Sequence, residues 1–303
     1  MKQSVSRANK ITRECTNNAT VRDYCSLLKP RVMSLVIFTG FIGLLIAPGN
    51  IHPVIGFVAI LCIAIGSGAA GAINMWYDRD IDSLMERTKN RPLPKGSIYH
   101  QEALHFGVAL SCASILLMGL FVNLIATFLL ALAILFYVLV YTVWLKRSTS
   151  QSIVIGGVAG ALPPVIGWAA VTGGVSLESF LLFLIIFMWT PPHFWALSLY
   201  KRTDYEKTRL PMMPIIKGVK YTKLQIVLYS VILFLVTLIP SYIGMFGMVY
   251  LYTAALLGAI FLYLSIVLYN EKGHKTAPKL FGYSILYLFL LYTVMPIDKI
   301  LIH

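Results

Sequence analysis

NMWYDRDIDSLMERTKNRPLPKG, residues 74–96, closes an apolar run with an abrupt alternation of acids and bases. Four of the twelve acidic residues lie in it: Asp78, Asp80, Asp82 and Glu86. If a helix starting near residue 52 continues through this stretch, Asn74, Asp78 and Asp82 drift only about 40° per step and share one face. Asp80 then points elsewhere. A row of oxygen ligands without His or Cys suits a hard cation that keeps some of its waters, typically magnesium carrying a substrate phosphate. The bases that follow, Arg87, Lys89, Arg91 and Lys95, suit the phosphate. The plainer reading is a solvated, salt-bridged helix end. Two features weigh against it. The preceding GSGAAGAIN, residues 66–74, lets neighbouring helices approach closely, and polar groups at that depth normally face a cavity.

The rest of the chain places this stretch in a membrane. Of 303 residues, 58% are hydrophobic and only 12% charged, which excludes a soluble domain. Apolar runs long enough to span occur at about 32–48, 53–76, 103–122, 124–145, 152–172, 177–199, 224–244, 247–269 and 280–297. The expected fold is therefore all-α, a polytopic membrane protein of nine transmembrane helices around a central cavity. The net charge of +13 suggests nucleic acid at first sight, but the bases cluster in short loops between apolar runs. With nine helices, 24 of the 25 Lys and Arg fall on one side and only Lys299 on the other. The positive-inside rule then makes the N-terminus cytoplasmic, the C-terminus external and the cavity mouth cytoplasmic. No nucleic-acid partner is expected.

Residues 1–28 are basic and polar without an apolar core, unlike a secretory signal, and read as a cytoplasmic segment ahead of a membrane domain at 29–303. A bacterial inner membrane is the expected location. Cys15, Cys25, Cys62 and Cys112 lack metal-ligand spacing.

Three further stretches could carry chemistry. The loop YKRTDYEKTRLPMMPIIKG, residues 200–218, offers Asp204 as a ligand, with Lys201, Arg202 and Arg209 as diphosphate contacts and Tyr205 as a hydrogen-bond donor. Glu206 lies roughly opposite Asp204 on a helix and reads as solvated. GALPPVIGWAA, residues 160–170, and WTPPHFWAL, residues 189–197, each carry paired prolines. Kinks at Pro163, Pro164, Pro191 and Pro192 would free carbonyls and open the middle of the bundle. His193 is a histidine well inside a span; packing, haem-iron ligation and proton transfer all remain open for it. Trp168, Trp189, Phe194 and Trp195 could stabilise a cation through their ring faces.

These residues resemble the intramembrane prenyltransferases of the UbiA superfamily. NMWYDRDID matches the first aspartate-rich motif, NxxxDxxxD, at Asn74, Asp78 and Asp82. KPRV at 29–32, RTKNRPLPKG at 87–96, LKRSTSQSIVIGG at 145–157, PPVIGW at 163–168, WTPPHFWAL and DYEKTRLPMMP at 204–214 are similar to its haem-prenylating branch. The superfamily pattern carries a second DxxxD motif, whereas four residues after Asp204 stands Thr208; a reduced Asp–Tyr version resembles that branch.

The resemblance implies that farnesyl diphosphate, haem B and water give haem O and diphosphate. Magnesium would be held by Asn74, Asp78 and Asp82 and act as a Lewis acid. Arg91, Lys95, Lys146, Lys201 and Arg202 would stabilise the departing diphosphate. Haem B would be a substrate rather than a cofactor, membrane lipid would surround the protein, and a downstream haem-modifying enzyme is a conceivable partner. Three rivals stand against this reading. A quinone-type prenyltransferase with an aromatic acceptor is disfavoured by PPHFW and His193. A transporter would spread its acids through the membrane depth, whereas Asp78, Asp82 and Asp204 lie at one rim. A haem-binding subunit would normally use paired axial histidines.

Overall fold

A computed structural model describes residues 19–208 and 210–302, all of whose regular structure is helical. The chain opens with α1 (Val21–Leu27) and α2 (Pro30–Ile46), whose axes are bent 55° from one another. The break follows from Pro30, which disfavours helical backbone at the residue before it. Lys29 instead adopts a left-handed conformation, φ 51°, and is the only non-glycine residue with positive φ among those described.

The second span is α3 (Pro53–Tyr77), followed on the basic rim by two short helices, α4 (Arg79–Asp82) and α5 (Pro92–Lys95). Then come α6 (His100–Phe121) and α7 (Leu124–Leu135). The latter continues as a π-helical segment, Phe136–Leu145, into α8 (Lys146–Ser148). The fifth span is divided into α9 (Ser152–Ala161) and α10 (Pro163–Thr172), and the sixth is α11 (Leu177–Tyr200). Beyond the second rim loop, with α12 (Arg202–Glu206) and α13 (Met213–Ile216), lie α14 (Val219–Tyr242), α15 (Met248–Asn270) and α16 (Ala277–Ile302).

Among the described residues, eight helices or continuous helix runs are each long and apolar enough to cross a membrane, and the bent α1–α2 pair, taken as one span, brings the number to nine. Each of the nine expected apolar runs coincides with one of these elements, and the chain is a multi-pass membrane protein. The first span packs on the second, the fifth and the last, so the two chain ends of the bundle meet. Glycine permits the closest of these approaches. A Cβ on Gly167 of α10 would lie 2.0 Å from the carbonyl oxygen of Gly40 on α2, so only glycine fits there.

The two proline pairs expected to kink the bundle differ in their effect on helix continuity. The paired prolines of the fifth span do mark a break, between Ala161 and Pro163, but α11 runs unbroken through Pro191 and Pro192. Proline's fixed φ is itself helical, so the cost lies in two missing donors and ring crowding. Around the pair, Trp189, Thr190, His193 and Trp195 are all buried against neighbours, which holds the helix in one piece. Thr190 additionally donates from its hydroxyl to the Ile186 carbonyl, 2.7 Å away.

Candidate active site

The row of three begins with helical backbone. Although α3 is assigned to end at Tyr77, the Asp78 amide donates to the Asn74 carbonyl at 2.9 Å and the Asp82 amide to the Asp78 carbonyl at 2.8 Å. These four-residue steps carry the helical frame through Asp78 and keep the three side chains in register. Asn74, Asp78 and Asp82 are 4%, 1% and 4% exposed. The side chain of Asp80, between them, is 61% exposed. Its carboxyl is pushed up by partial burial. The Arg147 guanidinium and nearby backbone donors outweigh that effect and hold it below the usual carboxylate range.

Side chains from distant segments converge on this row. Lys29 Nζ donates to Asn74 Oδ1 at 2.8 Å, and Asn74 Nδ2 donates to Asp78 Oδ2 at 2.8 Å and to Thr142 Oγ1 at 3.1 Å. Lys146 Nζ donates to Asp78 Oδ2, and Arg91 binds Asp82 Oδ2 at 2.6 Å. Arg147 grips Asp80 at 2.8 and 3.0 Å, caps the Tyr77 carbonyl at 3.1 Å and stands 3.7 Å from Asp78 Oδ1. The π-helical segment contributes here. Thr142 Oγ1 donates five residues back to the Tyr137 carbonyl, and the Tyr141 ring occupies space that a Cβ on Gly156 would invade at 2.3 Å.

Two chemical properties follow. Asp78 Oδ1 is buried and makes no hydrogen bond, an orphaned carboxylate oxygen of the kind that a cation satisfies. Lys29, Arg91 and Lys146 outnumber Asp78 and Asp82, so the cluster also carries room for added negative charge. Among the described residues no group of three or more His, Cys, Asp or Glu side chains is gathered for a metal. The donor set therefore fits a hard cation that completes its shell with water and substrate oxygen, as magnesium does. Asn74 fits less directly, because its oxygen already accepts from Lys29 and its nitrogen faces Asp78. It bridges cation and carboxylate.

The second loop closes over the same rim. Asp204 and Tyr205 are buried. Asp204 has Lys207 at 3.7 Å. Burial pushes the Tyr205 phenol up, while Arg87 beside it pulls the other way. An open pocket of about 200 Å³ lies between the two loops, lined by Asp80, Ile81, Leu84, Arg147, Thr208 and Leu210. Three of the expected diphosphate contacts pair elsewhere or lie exposed. Lys201 lies over the Tyr200 ring, Arg202 pairs with Glu206 at 2.8 Å, and Lys95 is exposed at the end of α5. Arg209 lies outside the described residues.

The aromatic assignments divide. His193 is buried between Trp189 and Phe281, with ring centroids 4.3 and 4.7 Å away, and its Nδ1 lies 2.6 Å from Ser284 Oγ. Trp195 is turned to another face of α11, edge-on to Tyr229. Trp168, expected as a cation-stabilising substrate contact, lies away from the aspartate row. It lines a pocket of about 420 Å³ at the opposite end, with Ile46, Glu178 and Lys299, because it sits within four residues of the far terminus of α10.

With the geometry established, relatives place it. The profile of the UbiA prenyltransferase family matches residues 36–292. The chain belongs to this family. It is 57% identical over 286 residues to protoheme IX farnesyltransferase of Parvibaculum lavamentivorans, covering 93% of this chain and 90% of the relative. The protoheme IX farnesyltransferase of Rickettsia bellii is 55% identical over 283 residues, covering 93% and 94%. Two solved structures share the fold at low identity. A digeranylgeranylglyceryl phosphate synthase superposes with TM-score 0.76 at 22% identity, over 91% of this chain and 98% of that one. A UbiA homolog from Archaeoglobus fulgidus bound to DMAPP and Mg2+ gives TM-score 0.71 at 16% identity, over 90% and 99%.

Lys29 and Thr142 contact the row although neither is among the residues expected there, and Arg147 entered only within the motif LKRSTSQSIVIGG. Lys29 did leave a signal: a lysine fixed ahead of Pro30 at the mouth of the first span.

Proposed function

We propose that this chain transfers the farnesyl group of farnesyl diphosphate to a vinyl group of haem B, with addition of water, giving haem O and diphosphate. The observation that carries this is identity of 55–57% along more than nine-tenths of the chain to relatives of that activity. The site chemistry agrees with it. An allylic diphosphate leaves by ionisation, so negative charge grows on its oxygens while a carbocation forms. Lys29, Arg91 and Lys146, one more than the two carboxylates they surround, are held by hydrogen bonds before substrate arrives, and so stabilise that charge without reorganising. Asp78 and Asp82 would hold magnesium, which supplies Lewis acidity and orients the diphosphate when bound.

Burial of the row beneath the rim loops keeps water from quenching the farnesyl cation early. The isoprenoid and the porphyrin are membrane-soluble and diphosphate is not, so a reaction at the basic rim separates them by solubility. The one-sided distribution of Lys and Arg supports a cytoplasmic face for that rim, with the C-terminus outside, and we assign the protein to a bacterial inner membrane.

The direct test incubates membranes containing this chain with haem B, farnesyl diphosphate and magnesium, and weighs the extracted haems by mass spectrometry. A farnesylated, hydrated haem is the expected product. Its absence, with prenylation of an aromatic quinone precursor instead, would overturn the haem assignment.

A further inference from the structure

We infer that Ser284 is a positioning residue that holds His193 in the Nδ1–H tautomer and so presents the Nε2 lone pair to the iron of the haem substrate. The inference rests on the haem reading proposed above. It begins with one hydrogen atom. Ser284 on α16 is fully buried, and its hydroxyl donates to the Phe281 carbonyl at 2.6 Å. A hydroxyl has a single proton to donate. Toward His193 Nδ1, 2.6 Å away, the same oxygen must therefore accept. Nδ1 carries the proton, and the lone pair is left on Nε2.

The surroundings keep the ring in that pose. Trp189 stacks on one side at 4.3 Å with planes 19° apart, Phe281 lies at 4.7 Å and 28°, and Phe194 meets the ring edge-on at 87°. Trp189 is pinned in turn, because its Nε1 donates to the Ser284 carbonyl at 2.8 Å. Ser284 thus ties down both the imidazole, through its side chain, and the indole stacked on it, through its backbone. Nε2 makes no hydrogen bond among the described residues, and the residue keeps 8% exposure. That nitrogen is not among the sealed, unpartnered polar atoms of the described residues, so its lone pair stays open to a ligand.

Iron ligation fits this nitrogen better than proton transfer. A base must become an imidazolium, which needs a counter-charge when buried. The groups around His193 are Ser284, Trp189, Phe194 and Phe281, none of them charged. Metal ligation uses the neutral ring. Its partner donating through Nδ1–H is the usual way in which an outer group fixes a histidine ligand. From Tyr200, at the rim end of α11, His193 lies about 10 Å deeper along the helix, so a porphyrin held there sits below the diphosphate cluster.

The test titrates the purified full chain with ferric haem B, read by optical absorption and electron paramagnetic resonance. The wild type should show saturable binding with an imidazole-ligated iron signature. His193→Ala should lose that signature, regain it with added imidazole, and still take up metal-free protoporphyrin IX. Ser284→Ala should weaken haem binding about tenfold or more while leaving the KM for farnesyl diphosphate unchanged, and Ser284→Thr, which keeps the hydroxyl, should restore it. Wild-type haem affinity and spectrum in Ser284→Ala would overturn the inference. Equal loss of haem and metal-free porphyrin in the alanine and threonine variants would overturn it too, by returning Ser284 to packing. Production of farnesylated haem by a wild type without any imidazole signature would sink the ligation and leave the proposed function standing. Absence of both would remove the haem reading itself.

Discussion

At the basic rim, Asp78 and Asp82 are answered by side chains: Lys146, Arg91, and Asn74 backed by Lys29. At the opposite end Asp298 is equally buried, 1% exposed, yet it is answered by backbone. Its oxygens accept from the Gly247 and Tyr250 amides at 2.5 and 2.9 Å and cap α15. Lys299 beside it donates to the Ile46 carbonyl at 2.6 Å and closes the C-terminal end of α2. Depth therefore does not separate the two aspartate sites; the partner does. Lys223 makes the same point on the basic side, buried and committed to the carbonyls of Glu271 and Gly273 at 2.7 and 2.5 Å. A side-chain cation held in place keeps further donors for an incoming phosphate, and Asp78 keeps Oδ1 free for a cation. A backbone group at a helix end cannot leave without fraying the helix.

The largest expected effect tests this contrast directly. Asp78→Asn or Asp82→Asn should lower farnesyl transfer by about 10²–10³-fold or more, with the protein still inserted and folded. Asp298→Asn should leave turnover per folded molecule unchanged. Full activity in either rim variant would break the assignment of the row to chemistry. Asp298→Ala orphans two backbone donors and should cost about 1–3 kcal/mol, read as a lower unfolding midpoint in detergent. Asp78→Ala strips Lys146 and Arg147 of a buried carboxylate and should destabilise as well, so turnover per folded molecule, not stability, is what separates the two ends.

Lys29 comes next in size. Its ammonium reaches Asn74 from a left-handed backbone at the α1–α2 bend, a conformation costing about 1 kcal/mol that surrounding structure must hold. Lys29→Ala should raise the KM for farnesyl diphosphate about tenfold, the worth of one charge-assisted hydrogen bond, with Lys29→Arg recovering part of it. Loss of kcat with unchanged KM would instead assign Lys29 to the arrangement of the aspartates.

What could be read along the chain was what repeats locally. Nine apolar runs and the four-residue recurrence of Asn74, Asp78 and Asp82 are periodic, and each corresponds to a helix or a helical register. Contacts between remote segments have no such signature. Lys29 lies 45 residues from Asn74, Thr142 lies 68 away and Ser284 lies 91 from His193. Residue type was a weaker guide: Trp168 lies near the far end of the fifth span, a place that counting along the run gives and residue type does not. Prolines predict lost donors, and whether a helix continues through them, as α11 does, depends on the packing around them.

The smallest effect concerns the one acid that helical phase sets apart. Asp80 does not share the face of the row, yet it holds Arg147 in a two-pronged grip, and Arg147 also lies 4.8 Å over the Tyr77 ring. Removing the carboxylate frees a guanidinium that already stands near Asp78. Asp80→Asn should therefore change the KM for farnesyl diphosphate only about two- to fivefold, within the modest worth of an exposed pair. The pH dependence follows from the lowered carboxyl. A group held below its ordinary range keeps its charge, and the grip it supports, above that range, and loses both only as pH falls through its folded value. The ratio of wild-type to Asp80→Asn activity should therefore stay flat between about pH 6 and 8. A ratio that changed across that window would mean that Asp80 titrates there, and that Arg147 is held by the rim cluster rather than by Asp80.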